Sequence, residues 1–359
     1  MLKTLDRYII RQFLGTFFFI LVLIMAIAVV FDISEKTEDF AKMKATWQVV
    51  VVEYYLNFVV YYANLFSGLL IFIAVILFTG RLSHRTEVVA ILSSGISFPR
   101  FLRPYFIAAS ILCLISLVVN HYALPEANRV RLAFEEAHIR NPFRIDASHL
   151  HRDIGDGSLA YFEKFNWQQR TGYRFSMEQW ENGVLKAKLL SDRAVYDSVN
   201  GRWTVYDFMV RTLDGEQEHV RHGQQLDTLI NLKPEDLGRR NENATSMSDA
   251  ELDTFIEEET RRGSPSVVFY RIEKHQRTSY PFATYVFTLI GVSIASRKVR
   301  GGTGVHLALG VLLILLYVFA MKITTVAATN AGFDPFTAVW LPNIVFGLVG
   351  VGIYRKAPK

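Results

Sequence analysis

The apolar positions of this chain are, over much of its length, continuous and not periodic. Six stretches (13–31, 54–80, 104–120, 278–296, 301–321 and 335–354) run almost without charge, the third being the shortest. At 1.5 Å per residue a helix of about 18 residues or more crosses a hydrocarbon core of ~30 Å. The pattern therefore predicts six membrane-spanning helices. Between the third and fourth the pattern changes. Short runs rich in Val, Tyr, Phe and Trp occupy 158–165, 173–180, 184–191 and 194–210, separated by Gly155-Asp156-Gly157, Asn182-Gly183, Asn200-Gly201 and Asp214-Gly215. Asn-Gly between apolar runs predicts hairpins, because a type I′ turn needs positive φ twice. Several hairpins in succession predict an antiparallel sandwich or roll.

Helical patterns flank this β region. One, 124–140, leaves the third span. Another opens at Ser248 with Glu251 three residues on, a capping-box spacing, and stops at Gly263. A third pattern lies between the second and third spans. In 81–103 Arg81, His84 and Arg85 are basic, Glu87 is the one acid, and Val88, Val89, Ile91 and Leu92 fall at helical spacing before Gly95 and Pro99. This predicts a short amphipathic helix ended by Gly95 in left-handed geometry. The chain thus divides into 1–124 with three spans and a connecting helix over 82–96, a β domain with flanking helices over 125–270, and three spans over 271–359. The fold class is an α-helical membrane protein of six spans carrying an all-β, roll-like domain.

Composition agrees: 51% of the 359 residues are hydrophobic. Charge then orients the chain. Thirteen Lys and Arg (Lys3, Arg7, Arg11, Arg81, Arg85, Arg100, Arg103, Arg297, Lys298, Arg300, Arg355, Lys356, Lys359) fall on one set of short connections. The other set holds Lys36, Lys42 and Lys44, amid Asp32, Glu35, Glu38 and Asp39. Positive-inside bias puts both termini and the short helix in the cytoplasm and the β domain outside. The net charge of +5 is mostly this anchoring pattern, so no nucleic-acid partner is expected. The first span is longer than a signal-peptide core and is followed by acids, not a small-residue cleavage site, so it reads as a retained span. The single cysteine, Cys113, lies in a span, so the β domain must hold together by its own core.

No phosphate-binding loop, zinc-protease motif, metal-spaced Cys–His cluster or nucleophile elbow is present. His149 and His151 share a strand face near Asp153, and a membrane-bound lipid-modifying enzyme built on these three is the alternative reading. No cofactor or metal is expected. Intramembrane charge says more. Lys322 near the end of the fifth span is either a snorkelling anchor or a cation facing an anionic ligand. Lys36, Lys42 and Lys44 are either a hydrated loop or a rim for anionic head groups. Ala320, Thr324 and Ala328 form a small-residue face on the fifth span, and Gly347, Gly350 and Gly352 crowd the sixth, permitting close helix approach. The 81–103 helix is either interfacial or a plug for a separate cytoplasmic protein.

Leu5-Asp-Arg-Tyr-Ile, Arg85-Thr-Glu-Val-Val with Ser94-Gly95, Leu232-Lys-Pro-Glu-Asp-Leu, Tyr280-Pro-Phe-Ala-Thr and Trp340-Leu-Pro-Asn together resemble the LptF/LptG permeases of the lipopolysaccharide-export ABC transporter. The first of these is more similar to the LptG branch. The resemblance covers essentially the whole chain and implies a β-jellyroll in the outer domain. It also implies a heterodimer with an LptF-like second permease on an LptB-like ABC ATPase dimer. An LptC-like single-span protein would stand at a lateral gate, and an LptA-like periplasmic bridge would receive the lipid. By the resemblance, Glu87 is the acid of the coupling helix, with Arg85, His84, Val88 and Leu92 around it. Lys36 best matches the lipid A phosphate contacts, followed by Lys42 and Lys44. Arg129, Arg131 and Lys322 are further lipopolysaccharide candidates. The gate implied between the first span of one permease and the fifth of the other would involve Phe31 here and the Ala320, Thr324, Ala328 face. The acids beside Lys36 depart from the better-known members of the family.

Overall fold

The computed structural model describes residues 3–42, 46–139, 149–155, 157–198, 200–215, 217–230, 232–237, 241–261, 263–264, 266–297 and 302–357. Among them are six helices long and apolar enough to cross a membrane. The chain separates into two compact units: 1–139 with 244–252 and 268–359, and 140–243 with 253–267.

The first unit is helical. α1 (Thr4–Glu35) is followed by the short α2 (Thr37–Lys42). The second span is longer and more broken than its apolar run suggests. α3 (Trp47–Val49) widens into a π-helical segment, Val50–Tyr55, then continues as α4 (Leu56–Leu65) and, after Phe66, α5 (Ser67–His84). α6 (Glu87–Ser93) follows, and then α7 (Phe98–Val118), a second π segment (Val119–Ala123) and α8 (Leu124–His138) form one uninterrupted helix of 41 residues. The shortest apolar run thus lies in the longest helix, because Asn120, His121 and Asn128 are tolerated within it. Pro125 lacks an N–H and would crowd the carbonyl four residues back. The π turn immediately before it, with its wider spacing, accommodates that.

α5 is the hub. Leu70, Ile71, Ala74, Val75 and Phe78 face a core shared with α1, α6 and α7, while Phe72 and Ile76 enter a second core with the last three spans. Gly310 lets the fifth span approach Ile76 and Phe72 closely, and Gly291 does the same for the fourth against Val75 and Phe72.

The second unit carries β1 (Leu150–Gly155), β2 (Ser158–Phe162), β3 (Lys164–Asn166), β4 (Thr171–Glu181), β5 (Val184–Asp197), β6 (Arg202–Asp214) and β7 (Gln217–Thr228). They form one antiparallel sheet in the order β1-β2-β4-β5-β6-β7, with β3 also on β4. Asn182 and Gly183, at φ 51 and 79, make the two-residue turn that joins Glu181 to Val184. Phe162 on β2 packs against Trp203 of β6 with ring centroids 5.4 Å apart, although β4 and β5 lie between them in the sheet. At ~4.8 Å per strand a flat sheet would hold them far apart, so the sheet curls over its own core. The buried Trp203 Nε1 donates to the Leu232 carbonyl at 2.7 Å, which satisfies that indole N–H within the core.

α9 (Pro234–Leu237) and a 3₁₀ turn (Asn241–Ser246) lead to α10 (Asp249–Arg261), α11 (Val267–Ala295), α12 (Gly302–Ala331) and α13 (Pro335–Arg355). The capping box forms as read: Ser248 N donates to Glu251 Oε2 at 2.8 Å, and Glu251 N to Ser248 Oγ at 3.3 Å. Gly263 is left-handed, at φ 65.

Candidate functional site

The connection between the second and third spans is built from a broken helix. α5 ends at His84, Thr86 takes a left-handed φ of 61, and α6 starts at Glu87 in a new direction. An acid at the first helical position complements the positive end of the helix dipole. Arg85 Nη1 stands 4.0 Å from Glu87 Oε1, at the outer limit of an ion pair, and the Glu87 side chain keeps 36% of its surface exposed. Gly95, at φ 87, closes the helix as its position predicted.

The two faces of α6 differ in use. Val88 is 1% exposed and belongs to the core with Ile9, Phe13, Leu82, Phe98 and Phe101, and Ile91 and Leu92 pack half-buried against it. Val88 and Leu92 therefore fasten α6 to its own chain. Thr86, Val89, Ala90 and Ser93 stay exposed beside Glu87, Arg85 and His84. His84 lies on the end of α5, not on α6.

The cationic candidates at the opposite end of the spans are mostly engaged within the chain. Lys36 Nζ lies 2.7 Å from Asp32 Oδ1, bonds the Tyr54 hydroxyl, and sits over the Tyr54 ring. Tyr54 and Tyr55 also donate to Asp32, each at 3.2 Å. Three donors thus converge on one carboxylate, and Phe40, Phe58 and Phe134 pack around them. Arg129 bridges Glu251 at 2.7 Å and Glu126 at 3.3 Å. Arg131 is buried with Glu135 at 2.5 Å and lies over the Tyr61 ring. Lys44 and the side chain of Lys42 lie outside the described residues. Lys322 is exposed on α12.

The gate candidates divide likewise. Phe31 is 72% exposed at the end of α1, where Phe19, Val22 and Val30 are exposed as well. Ala320 and Thr324 are half-buried, and Ala328 is buried in the core of α12 and α13 with Ala338 and Val339. The Thr324 hydroxyl donates to its own helix, at Met321 O, 3.1 Å. His149 Nδ1 is 2.7 Å from the Tyr161 hydroxyl, His151 lies against the same ring, and the Asp153 carboxylate accepts from Gly155 N at 2.9 Å.

Several polar constellations were not anticipated from the sequence. Asn64 and Asn120 exchange amide hydrogen bonds at 3.0 and 3.2 Å, with Ser116 donating to Asn64. An asparagine within an apolar run was the available signal. His121 Nδ1 meets Asp249 Oδ2 at 2.6 Å, and the buried Arg277 meets Asp249 Oδ1 at 2.8 Å. Partial burial alone would raise the Asp249 carboxyl, but the His121 and Arg277 bonds outweigh it and hold it below the usual range. Glu251 is likewise held low, by the Ser248 donors and Arg129. Asp6 and Arg100 also form a pair, at 2.7 Å. Nothing in their sequence spacing marks it.

A family model described as lipopolysaccharide export system permease LptF/LptG matches residues 7–356. No curated protein matches the chain.

Proposed function

The chain belongs to the LptF/LptG family of lipopolysaccharide export permeases, and from that premise we propose that it is the LptG-like half of a heterodimeric ABC exporter. As a multi-pass inner-membrane protein of that family it serves lipopolysaccharide export. In our reading both termini and α6 are cytoplasmic and the β roll is periplasmic, following the thirteen-to-three distribution of basic residues. Chemical work is done by an LptB-like ATPase dimer that meets Glu87 and the exposed side of α6. The second permease is LptF-like, an LptC-like single span borders the gate, and an LptA-like bridge accepts the lipid from the roll.

The family match over nearly the whole chain carries this reading. Its physics is coherent. Burying lipid acyl chains contributes ~0.8 kcal/mol per CH₂, so extraction requires an external energy source. An acid on a short helix, beside exposed Val89 and Ala90, suits a basic, partly apolar socket. The exposed apolar surface of α1, which includes Phe31, suits the lateral gate opposite the partner's fifth span. Lys36 reaches lipid A phosphate by leaving Asp32, and Arg129 by leaving Glu251; Lys42, Lys44 and Lys322 are the other contacts we propose.

The test is a mild-detergent purification followed by reconstitution. Wild type should bring down an ABC ATPase and a second six-span chain and move lipopolysaccharide on ATP addition. Glu87→Arg should still insert but lose ATPase association and transport. Normal association and transport by Glu87→Arg would remove the coupling role.

A further inference from the structure

One buried ion pair beside α6 has no part in the scheme above. Asp6, in the first turn of α1, has a side chain only 4% exposed. Its two oxygens accept parallel bonds from Arg100, Nη1 to Oδ1 and Nη2 to Oδ2, both 2.7 Å. Oδ2 also accepts from the Lys3 backbone N–H at 2.9 Å. Arg100 sits in the first turn of α7, which the four residues 94–97 separate from the end of α6. The pair therefore ties the start of α1 to the start of α7, at the point where α7 receives the chain from α6.

Two physical features separate this from a simple anchor. A cation that only anchors a span turns its head to water. The Arg100 side chain is 28% exposed and is spent on another helix. A forked guanidinium–carboxylate pair also fixes direction as well as distance, which a point charge does not. α6 also shares an apolar core with α1, Val88 clustering with Ile9 and Phe13. Apolar contact of that kind is non-directional and permits sliding. The fork does not.

Resting on the coupling role proposed for Glu87, we infer that Asp6 and Arg100 are positioning residues that carry displacement of α6 into α1. Movement of α6 draws on the first turn of α7 through 94–97, Arg100 passes it to Asp6, and α1 follows as one rod. That rod has 32 residues, about 48 Å, and from its middle to its far end it bears exposed Phe19, Val22, Val30 and Phe31. The short helix and the exposed face at the other end of the first span become one mechanical element.

The experiment uses the reconstituted complex of the full chain with its co-purified ATPase and second permease. ATP hydrolysis and lipopolysaccharide movement are measured together. Arg100→Lys keeps the charge and removes the fork. The double variant Asp6→Leu/Arg100→Met removes both charges, which spares the stability lost when one member of a buried pair is left alone. Both should assemble and hydrolyse ATP at close to the wild-type rate, with lipid moved per ATP lowered about fivefold, as for residues on a coupling path. An unchanged ratio in a transporting background overturns the inference and leaves the export reading intact. Failure of both variants to assemble also overturns it, since the pair would then be a folding determinant. A wild-type complex that hydrolyses ATP without moving lipid would overturn the export reading and this inference with it.

Discussion

α1 and α11 are spans of similar length, 32 and 29 residues, yet they are used in opposite ways. Of the apolar stretch of α1 only 22% is buried in the chain, against 67% for α11. The more hydrophobic helix is the more exposed one. α11 buries Ser279, Thr284, Thr288 and Ser293, while α1 turns Phe18, Phe19, Val22, Val30 and Phe31 outward. In water this would be inverted. In a bilayer, lipid tails are as apolar as leucine, so no hydrophobic force drives helix against helix, and small and polar residues select the buried spans. α12, with Leu312, Leu315, Phe319 and Ile323 exposed, is used like α1.

The comparison breaks most sharply at two glycines. A Cβ at Gly291 of α11 would lie 2.7 Å from Val75 Cγ1, while one at Gly15 of α1 meets nothing within 4 Å. Gly291→Leu should destabilise the chain by about 3 kcal/mol through overpacking, and Gly15→Leu should not. Detergent unfolding of the two variants measures the difference; equal losses would mean that α1 is as tightly held as α11.

Next in size is Arg277→Met, in the first half of α11. It leaves Glu273, 3.5 Å away, without its cation, and leaves Asp249 with His121 alone. Losing one member of a buried pair costs roughly 3 kcal/mol, less here because Asp249 is half-exposed. Unfolding in the same detergent should show it, whereas Arg11→Met on the exposed side of α1 should leave stability unchanged.

Asn343→Leu should cost less. It removes the bond from Tyr317 at 2.9 Å and the bond to Ser279 O at 2.9 Å, which stitch α12 and α13 to α11. Hydrogen bonds between membrane helices contribute about 1 kcal/mol each. A stability equal to wild type would show that packing alone holds α11.

The smallest effect is one of pH. Because the Asp249 carboxyl is held below its ordinary range, its stabilisation is present above that range and is lost as pH falls through the folded value, below about pH 4. Amide exchange at 268–278, corrected for intrinsic rates, should lose protection a few-fold at pH 3.5 relative to pH 7. No change there would mean that Arg277 is held by Glu273 and the Ala244 carbonyl alone.

Much of this was legible along the chain because it depends on local chemistry. Uncharged length marks a span, Asn182-Gly183 marks a turn, and Ser248 with Glu251 marks a helix start; each is decided by neighbours in sequence. β7 went unmarked because Gln217–Thr228 is almost wholly polar and pairs as an edge strand through its backbone. The extent of the third span went unmarked because Asn120 and Asn128 look like a helix end until their partners, Asn64 and the Thr245 carbonyl, are in place. For the candidate site, Glu87 could be singled out as the one acid in a basic connection. That Val88 turns inward with Leu92 while Val89 turns outward could not, since Val88 and Val89 are alike and adjacent.

By itself, then, the sequence determined how many times the chain crosses the membrane, where the β roll is inserted, and which short helix carries a lone acid. These follow from transfer free energy and backbone geometry, which act on each segment separately. The tertiary structure alone decided which spans are buried and which stay exposed. It also paired Lys36, Arg129 and Arg131 with acids of the same chain, and joined Asp6 to Arg100 across 94 residues. Those outcomes depend on which polar groups find one another once the helices are assembled, and charge pairing between distant segments leaves no period in the sequence.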